Sequence, residues 1–132
     1  MKVLDTDACI EILRGNEAII SQREATPDTV ATTWITASEL AFGAAKSGYP
    51  RENQALVAEF LATLPVLGLD WPAAARFGAI KADLEQEGNR VADADVFIAA
   101  ITLSRAAVLV TGNRKHFERI PDLGIEDWIR GR

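Results

Sequence analysis

Apolar positions in this chain fall into short bursts separated by stretches of helical spacing, and that alternation predicts its elements. A first strand is expected over about Lys2 to Leu4. A helix carrying Ile10, Ile12 and Leu13 follows and stops near Gly15. A second short helix fits Glu17 to Glu24, before the turn Thr26-Pro27-Asp28. The β-branched run Thr29 to Ile35 reads as the second strand. From Ala37 the pattern turns helical through Leu40, Phe42 and Ala44, ending around Gly48-Tyr49-Pro50. In Glu52 to Leu64, the residues Leu56, Val57, Phe60, Leu61 and Leu64 make one helical stripe.

Val66 to Leu69 is the third strand, and Asp70-Trp71-Pro72 opens a long helix with Phe77, Ile80 and Leu84 inward, capped near Gly88. The helix beginning at Asp93 is apolar nearly all round, which predicts a central position covered on two sides. Val108 to Val110 is a buried strand, Arg114 to Glu118 a short helical turn, and Gly124-Ile125 a last edge strand. Short strands alternating with helices predict an α/β domain with a mostly parallel sheet. No linker, repeat or low-complexity tract interrupts it, so residues 1–132 are read as one domain.

This pattern sends polar residues to one edge. In a parallel sheet, strand C-termini and the N-termini of the following helices lie together, and ligands bind outside that edge. Asp5 follows the first strand, Glu39 the second, Asp93 and Asp95 open the central helix, and Asn113 follows the fourth strand. Each acid alone has a structural reading. Thr36-Ala37-Ser38-Glu39 fits a capping box, Asp93 an N-cap, Asp95 a first-turn acid, and Asp5 or Thr6 a cap of the first helix. Together they demand more. Two unit charges about 4 Å apart repel by about 4 kcal/mol at an effective dielectric near 20. A cluster needs a cation, protonation with raised pKa values, or pairing with Lys46, Arg14 or Arg114. All-oxygen ligands suit Mg²⁺ or Mn²⁺.

Composition narrows the chemistry. The chain has one cysteine and one histidine, Cys9 and His116, which exclude a disulfide framework and Cys- or His-rich metal centres. The lone cysteine makes a reducing cytoplasm the default compartment. No apolar run approaches the ~18–20 residues that span a bilayer, so no membrane segment is expected. A net charge of −5 argues against holding nucleic acid by bulk attraction, but not against an acidic site inverted by a bound cation.

The strings VLDTD at Val3–Asp7, ITASELAFGAAKSG at Ile35–Gly48, ADADVFIAA at Ala92–Ala100 and VTGNRKHFERIPDLGIEDW at Val110–Trp128 resemble the PIN domain, more narrowly the VapC-type ribonuclease toxins of toxin–antitoxin pairs. The resemblance covers nearly the whole chain, with the strings in the same order and spacing. It implies a three-layer α/β/α sandwich around a five-stranded parallel sheet and metal-dependent endonucleolytic cleavage of RNA, a tRNA or rRNA loop among the candidates. It puts the family's acids on Asp5, Glu39 and Asp95, holding Mg²⁺ or Mn²⁺, with Asp93 as a further ligand or a cap. The family's fourth acidic position falls near Thr111-Gly112-Asn113, where Asn113 offers an amide that reaches the ion through water. Thr6 and Thr111 are site-shaping hydroxyls, and Asp7 is read as a helix cap.

His116 is expected to pack on Phe117 and Ile120. Lys46, Arg51, Arg90, Arg114 and Lys115 are the candidate RNA contacts. The same resemblance implies an antitoxin whose C-terminal segment wraps the groove beside helices 1 and 2. The apolar residues Ile10, Leu13, Ile19, Ile20, Leu40, Phe42, Val57 and Phe60 are expected to serve partly that groove and partly a homodimer face. Two other classes stay open on sequence. Asp5-Thr6-Asp7 also reads as the DxD of a haloacid-dehalogenase-like phosphotransferase with Asp5 as nucleophile, and helix-start acids acting only as caps fit a non-catalytic interaction module.

Overall fold

A computed structural model describes residues 1–130. In chain order the described elements are β1 (Lys2–Leu4), α1 (Thr6–Leu13), α2 (Glu17–Ala25), β2 (Val30–Thr33), α3 (Trp34–Ala45), α4 (Pro50–Leu61), β3 (Val66–Leu67), α5 (Trp71–Gln86), α6 (Asp93–Ser104), β4 (Val108–Val110), α7 (Arg114–Phe117) and β5 (Ile125–Glu126). The strands form one five-stranded sheet in the order β3-β2-β1-β4-β5, every pair parallel. Strand order therefore reverses between β1 and β4, and the crevice outside their carboxyl ends is where such a sheet places its ligand.

Successive strand residues point to opposite faces, and here both faces are buried. Val3 and Leu109 pack into a core with Ile80 and Leu84 of α5 and Val96, Ile98, Ala99, Ala100 and Ile101 of α6. Leu4 and Val110 face the other way, into a core with Ala8, Cys9, Ile19, Leu40, Phe60 and Trp128. The result is the expected α/β/α sandwich. The central helix is α6, whose residues from Ile98 to Thr102 are all buried.

Caps set several boundaries. The Asp5 carboxylate accepts from the Ala8 amide and starts α1, and Gly15, at φ 83°, ends it where a side chain would be strained. Asp70 caps α5 with Pro72 in its first turn, and Gly88 at φ 73° follows its end. Other boundaries differ from the sequence reading. β2 stops at Thr33, whose hydroxyl accepts the Thr36 amide, so α3 begins at Trp34 rather than Ala37. The Thr36–Glu39 capping box is accordingly not formed, and Glu39 sits in the second turn of its helix. Similarly α4 runs from Pro50 to Leu61, not from Glu52 to Leu64, because Pro50 suits a first helical position.

Among the described residues, no buried side-chain nitrogen or oxygen lacks a hydrogen-bond partner. No described helix is long and apolar enough to cross a membrane.

Candidate active site

The site forms where β1 and β4 end side by side. The Asp5 amide donates to the Val110 carbonyl, so the first residue past β1 is fixed beside the last residue of β4. The Asp5 side chain is almost fully buried, and burial pushes its pKa up to about 7. The Thr111 hydroxyl and the Ala8 amide oppose that rise by hydrogen bonding to the carboxylate, while the charges of Asp7 and Asp95 add to it. Asp95, in the first turn of α6, is also raised, mainly by burial and further by Asp7, against a lowering contact from His116. Three carboxylates, Asp5, Asp7 and Asp95, thus feel one another at the sheet's switch point.

Glu39 joins this region through a hydroxyl relay. The Thr6 hydroxyl donates to Glu39 Oε1 at 2.5 Å and lies 3.1 Å from the Thr36 hydroxyl. Thr6 follows the buried acid directly and so links the exposed Glu39 to it.

Other expected roles need correction. Asp93 is the first helical residue of α6, not its cap, which is Ala92, and it carries no side-chain cap bond. Its carboxylate pairs with Lys81 at 3.0 Å. Residues two apart on a helix do not share a face, which is why Asp93 and Asp95 take different partners. Asn113 is tied in by its backbone, its amide donating to Thr111 Oγ1 at 2.9 Å. Asp7 is not the cap of α1, since Asp5 holds that position, and its exposed carboxylate instead adds charge to the acidic cluster.

His116 does not pack between Phe117 and Ile120. Phe117 is buried while the His116 side chain is 52% exposed, with Nδ1 3.3 Å from Asp95 Oδ2. Neighbouring helical residues point in different directions, so burying Phe117 turns His116 outward. The signal for both missed residues was position: Asp7 and His116 lie within two residues of Asp5 and of the helical turn after β4.

The basic residues weighed as counter-charges are engaged elsewhere. Arg14 reaches Glu11, Lys46 lies over the Phe42 ring at 4.9 Å, and Arg114 donates to the Ile125 carbonyl. Among the described residues no Lys or Arg makes an ion pair with Asp5, Asp7, Glu39 or Asp95. Of the candidate RNA contacts, Arg90 lines a cavity of about 760 Å³ with Lys81, Asn89 and Asp93. Lys115 sits exposed on α7, and Arg51 in the exposed first turn of α4.

Among the described residues, no group of three or more Asp, Glu, His or Cys side chains is placed to hold a metal ion. Mg²⁺ seldom needs such a group. It keeps several waters and binds through one or two carboxylates together with substrate phosphate. A buried carboxylate at the switch point, a second carboxylate within its field and no pairing Lys or Arg fit such a water-rich ion. An apolar groove of about 460 Å³ runs between α1, α3 and α4, lined by Ile10, Leu13, Leu40, Gly43, Leu56 and Val57, with Glu39 and Arg14 also in its wall.

The sequence profile of the PIN domain matches residues 2–123. The tRNA(fMet)-specific endonuclease VapC of Salmonella typhimurium is 39% identical over 127 residues, covering 96% of each chain. Ribonuclease VapC2 of Haemophilus influenzae is 35% identical over 128 residues, 96% of this chain and 97% of that one. Among solved structures, VapBC2 of Rickettsia felis bound to a DNA fragment from its promoter superposes with a TM-score of 0.90 at 30% identity, covering 96% of this chain and 98% of that one.

Proposed function

This chain belongs to the PIN-domain family and within it to the VapC ribonucleases, and from that membership we propose that it is a metal-dependent endoribonuclease toxin restrained by a cognate antitoxin in the cytoplasm. The observation that carries the reading is the buried Asp5 at the β1–β4 switch point, in the field of Asp7 and Asp95 and without a pairing Lys or Arg. Asp5 and Asp95 would hold Mg²⁺ or Mn²⁺, and Glu39, fixed by Thr6, would reach it through water. When bound, the ion supplies a water of lowered pKa and neutralises phosphoryl charge.

The chain's own residues do the rest. The Ala8 amide holds the Asp5 carboxylate, and the Thr6 hydroxyl holds Glu39. Lys115 and Arg114 flank the site on α7 and, with Lys46, Arg51 and Arg90, are proposed to meet RNA phosphates. The RNA is read as a structured loop, a tRNA first among candidates because one relative is a tRNA(fMet)-specific endonuclease.

We assign the groove between α1, α3 and α4 to the antitoxin, since it is apolar and its wall includes Glu39. Ile19 and Phe60 are buried in the chain's own core, so they are not available for a homodimer face or that groove, whereas Leu40 forms part of the groove wall. Exposed Trp34, Leu69 and Trp71 are proposed for the homodimer face instead.

The test is cleavage of end-labelled tRNA by the purified chain, with Mg²⁺, with Mn²⁺ and with chelator. Cutting is expected only with metal. Asp5→Asn and Asp95→Asn should each slow it by about 100-fold or more, because several kcal/mol of charge stabilisation go with the ion. Cleavage that persists in chelator would refute the metal role. A chain that never cuts and binds no ion would be an interaction module.

A further inference from the structure

One side chain touching the acidic cluster has no part in the mechanism above. His116 is the sole histidine of the chain, and its Nδ1 lies 3.3 Å from Asp95 Oδ2. An ionised carboxylate only accepts, so the ring nitrogen carries the hydrogen in this contact. The ring is placed by its own short helix. The His116 amide donates to the Asn113 carbonyl at 3.1 Å, and the adjacent Phe117 is anchored in the core. Arg114 on the same turn donates instead to the Ile125 carbonyl, and among the described residues neither it nor Lys115 makes an ion pair with Asp95.

Asp95 needs such a contact. It stands near the start of α6, and the helix supplies no side-chain cap there. The Asp5 carboxylate, by comparison, accepts from the Ala8 amide at 2.8 Å. Without a partner the Asp95 carboxylate is free to rotate, and a ligand whose rotation is not set binds its ion less well.

We propose that His116 is a positioning residue, which by hydrogen bonding to Oδ2 orients the Asp95 carboxylate for the divalent ion. The inference rests on the metal reading given above. Its role is not structural, because a half-exposed ring contributes little to the cores that hold the domain together.

The test measures Mn²⁺ binding to the purified, RNA-free chain by electron paramagnetic resonance, with thermal unfolding of the metal-free proteins alongside. His116→Ala should bind Mn²⁺ about 10- to 100-fold more weakly, the usual loss when an outer partner of a metal ligand is removed. It should unfold at the wild-type temperature. His116→Asn, which keeps an N–H donor near the position of Nδ1, should recover most of the affinity, and His116→Leu should not. In an Asp95→Asn background, His116→Ala should cause no further loss.

Equal Mn²⁺ affinity in wild type and His116→Ala would overturn the inference while leaving the metal reading intact. Loss in His116→Asn as large as in His116→Ala would also overturn it. A wild-type chain that binds no Mn²⁺ would remove the metal reading and this inference together.

Discussion

Asp5 caps α1, is buried at the end of β1, and stands in the field of two other acids, and these roles conflict in the metal-free protein. Its pKa is about 7 folded, against 3.8 as an ordinary aspartate. Between those values the folded state binds more protons than the unfolded one, so stability falls as pH rises. The loss starts near pH 4 and is complete just above pH 7, reaching about 4 kcal/mol at most. Asn also caps helices, and the Thr111 hydroxyl can reorient toward an amide. Asp5→Asn should therefore be more stable than wild type at pH 8 in chelator, with the gap shrinking toward pH 5, as measured by urea unfolding. Mg²⁺ should stabilise the wild type at pH 8 and leave Asp5→Asn unmoved. Thr6→Val tests the neighbouring relay. Losing one partly exposed hydrogen bond should cost about 1 kcal/mol of stability, yet releasing Glu39 should lower cleavage severalfold.

At the scale of elements, the start of α3 decides where Glu39 lies. Thr33→Ala removes the cap that accepts the Thr36 amide, and should destabilise the domain by about 1–2 kcal/mol in urea unfolding. The same boundary shows what the sequence made legible. The order of strands and helices was readable because each apolar period is distinct, and the switch-point position of Asp5 follows from that order alone. The start of α3 was not, since Trp34 and Ile35 are as much at home in a strand as in a helix, and the deciding contact is a hydroxyl to a backbone amide. Asp7 and His116 were misread for a related reason. Their roles depend on which way a short helix turns, and for α7 that is set by burying Phe117 in a core built from distant segments. Asp93 was misread because Lys81, its partner, comes from the preceding helix.

For the whole molecule, several large apolar side chains remain exposed after folding. Leu13 and Leu56 are exposed along the groove between α1, α3 and α4, whereas Trp34, Leu69 and Trp71, the last at 78% exposure, do not line it. Gly43 lines the groove, and a Cβ added there meets nothing within 4 Å. Gly43→Leu should keep or slightly raise stability, since glycine inside a helix costs about 0.5–1 kcal/mol relative to alanine. It should nevertheless fill the groove and weaken capture by the antitoxin at least tenfold in a co-purification or calorimetric titration, with RNA cleavage by the free chain unchanged. Equal antitoxin affinity in this variant would move the partner to another surface.

The pairing of β1 with β4 has a further effect in a growing cell. Asp5 is synthesised about a hundred residues before β4, the strand beside which it is fixed. A partly synthesised chain therefore carries every early acid without a working centre. The acidic centre should assemble only after β4 inserts beside β1.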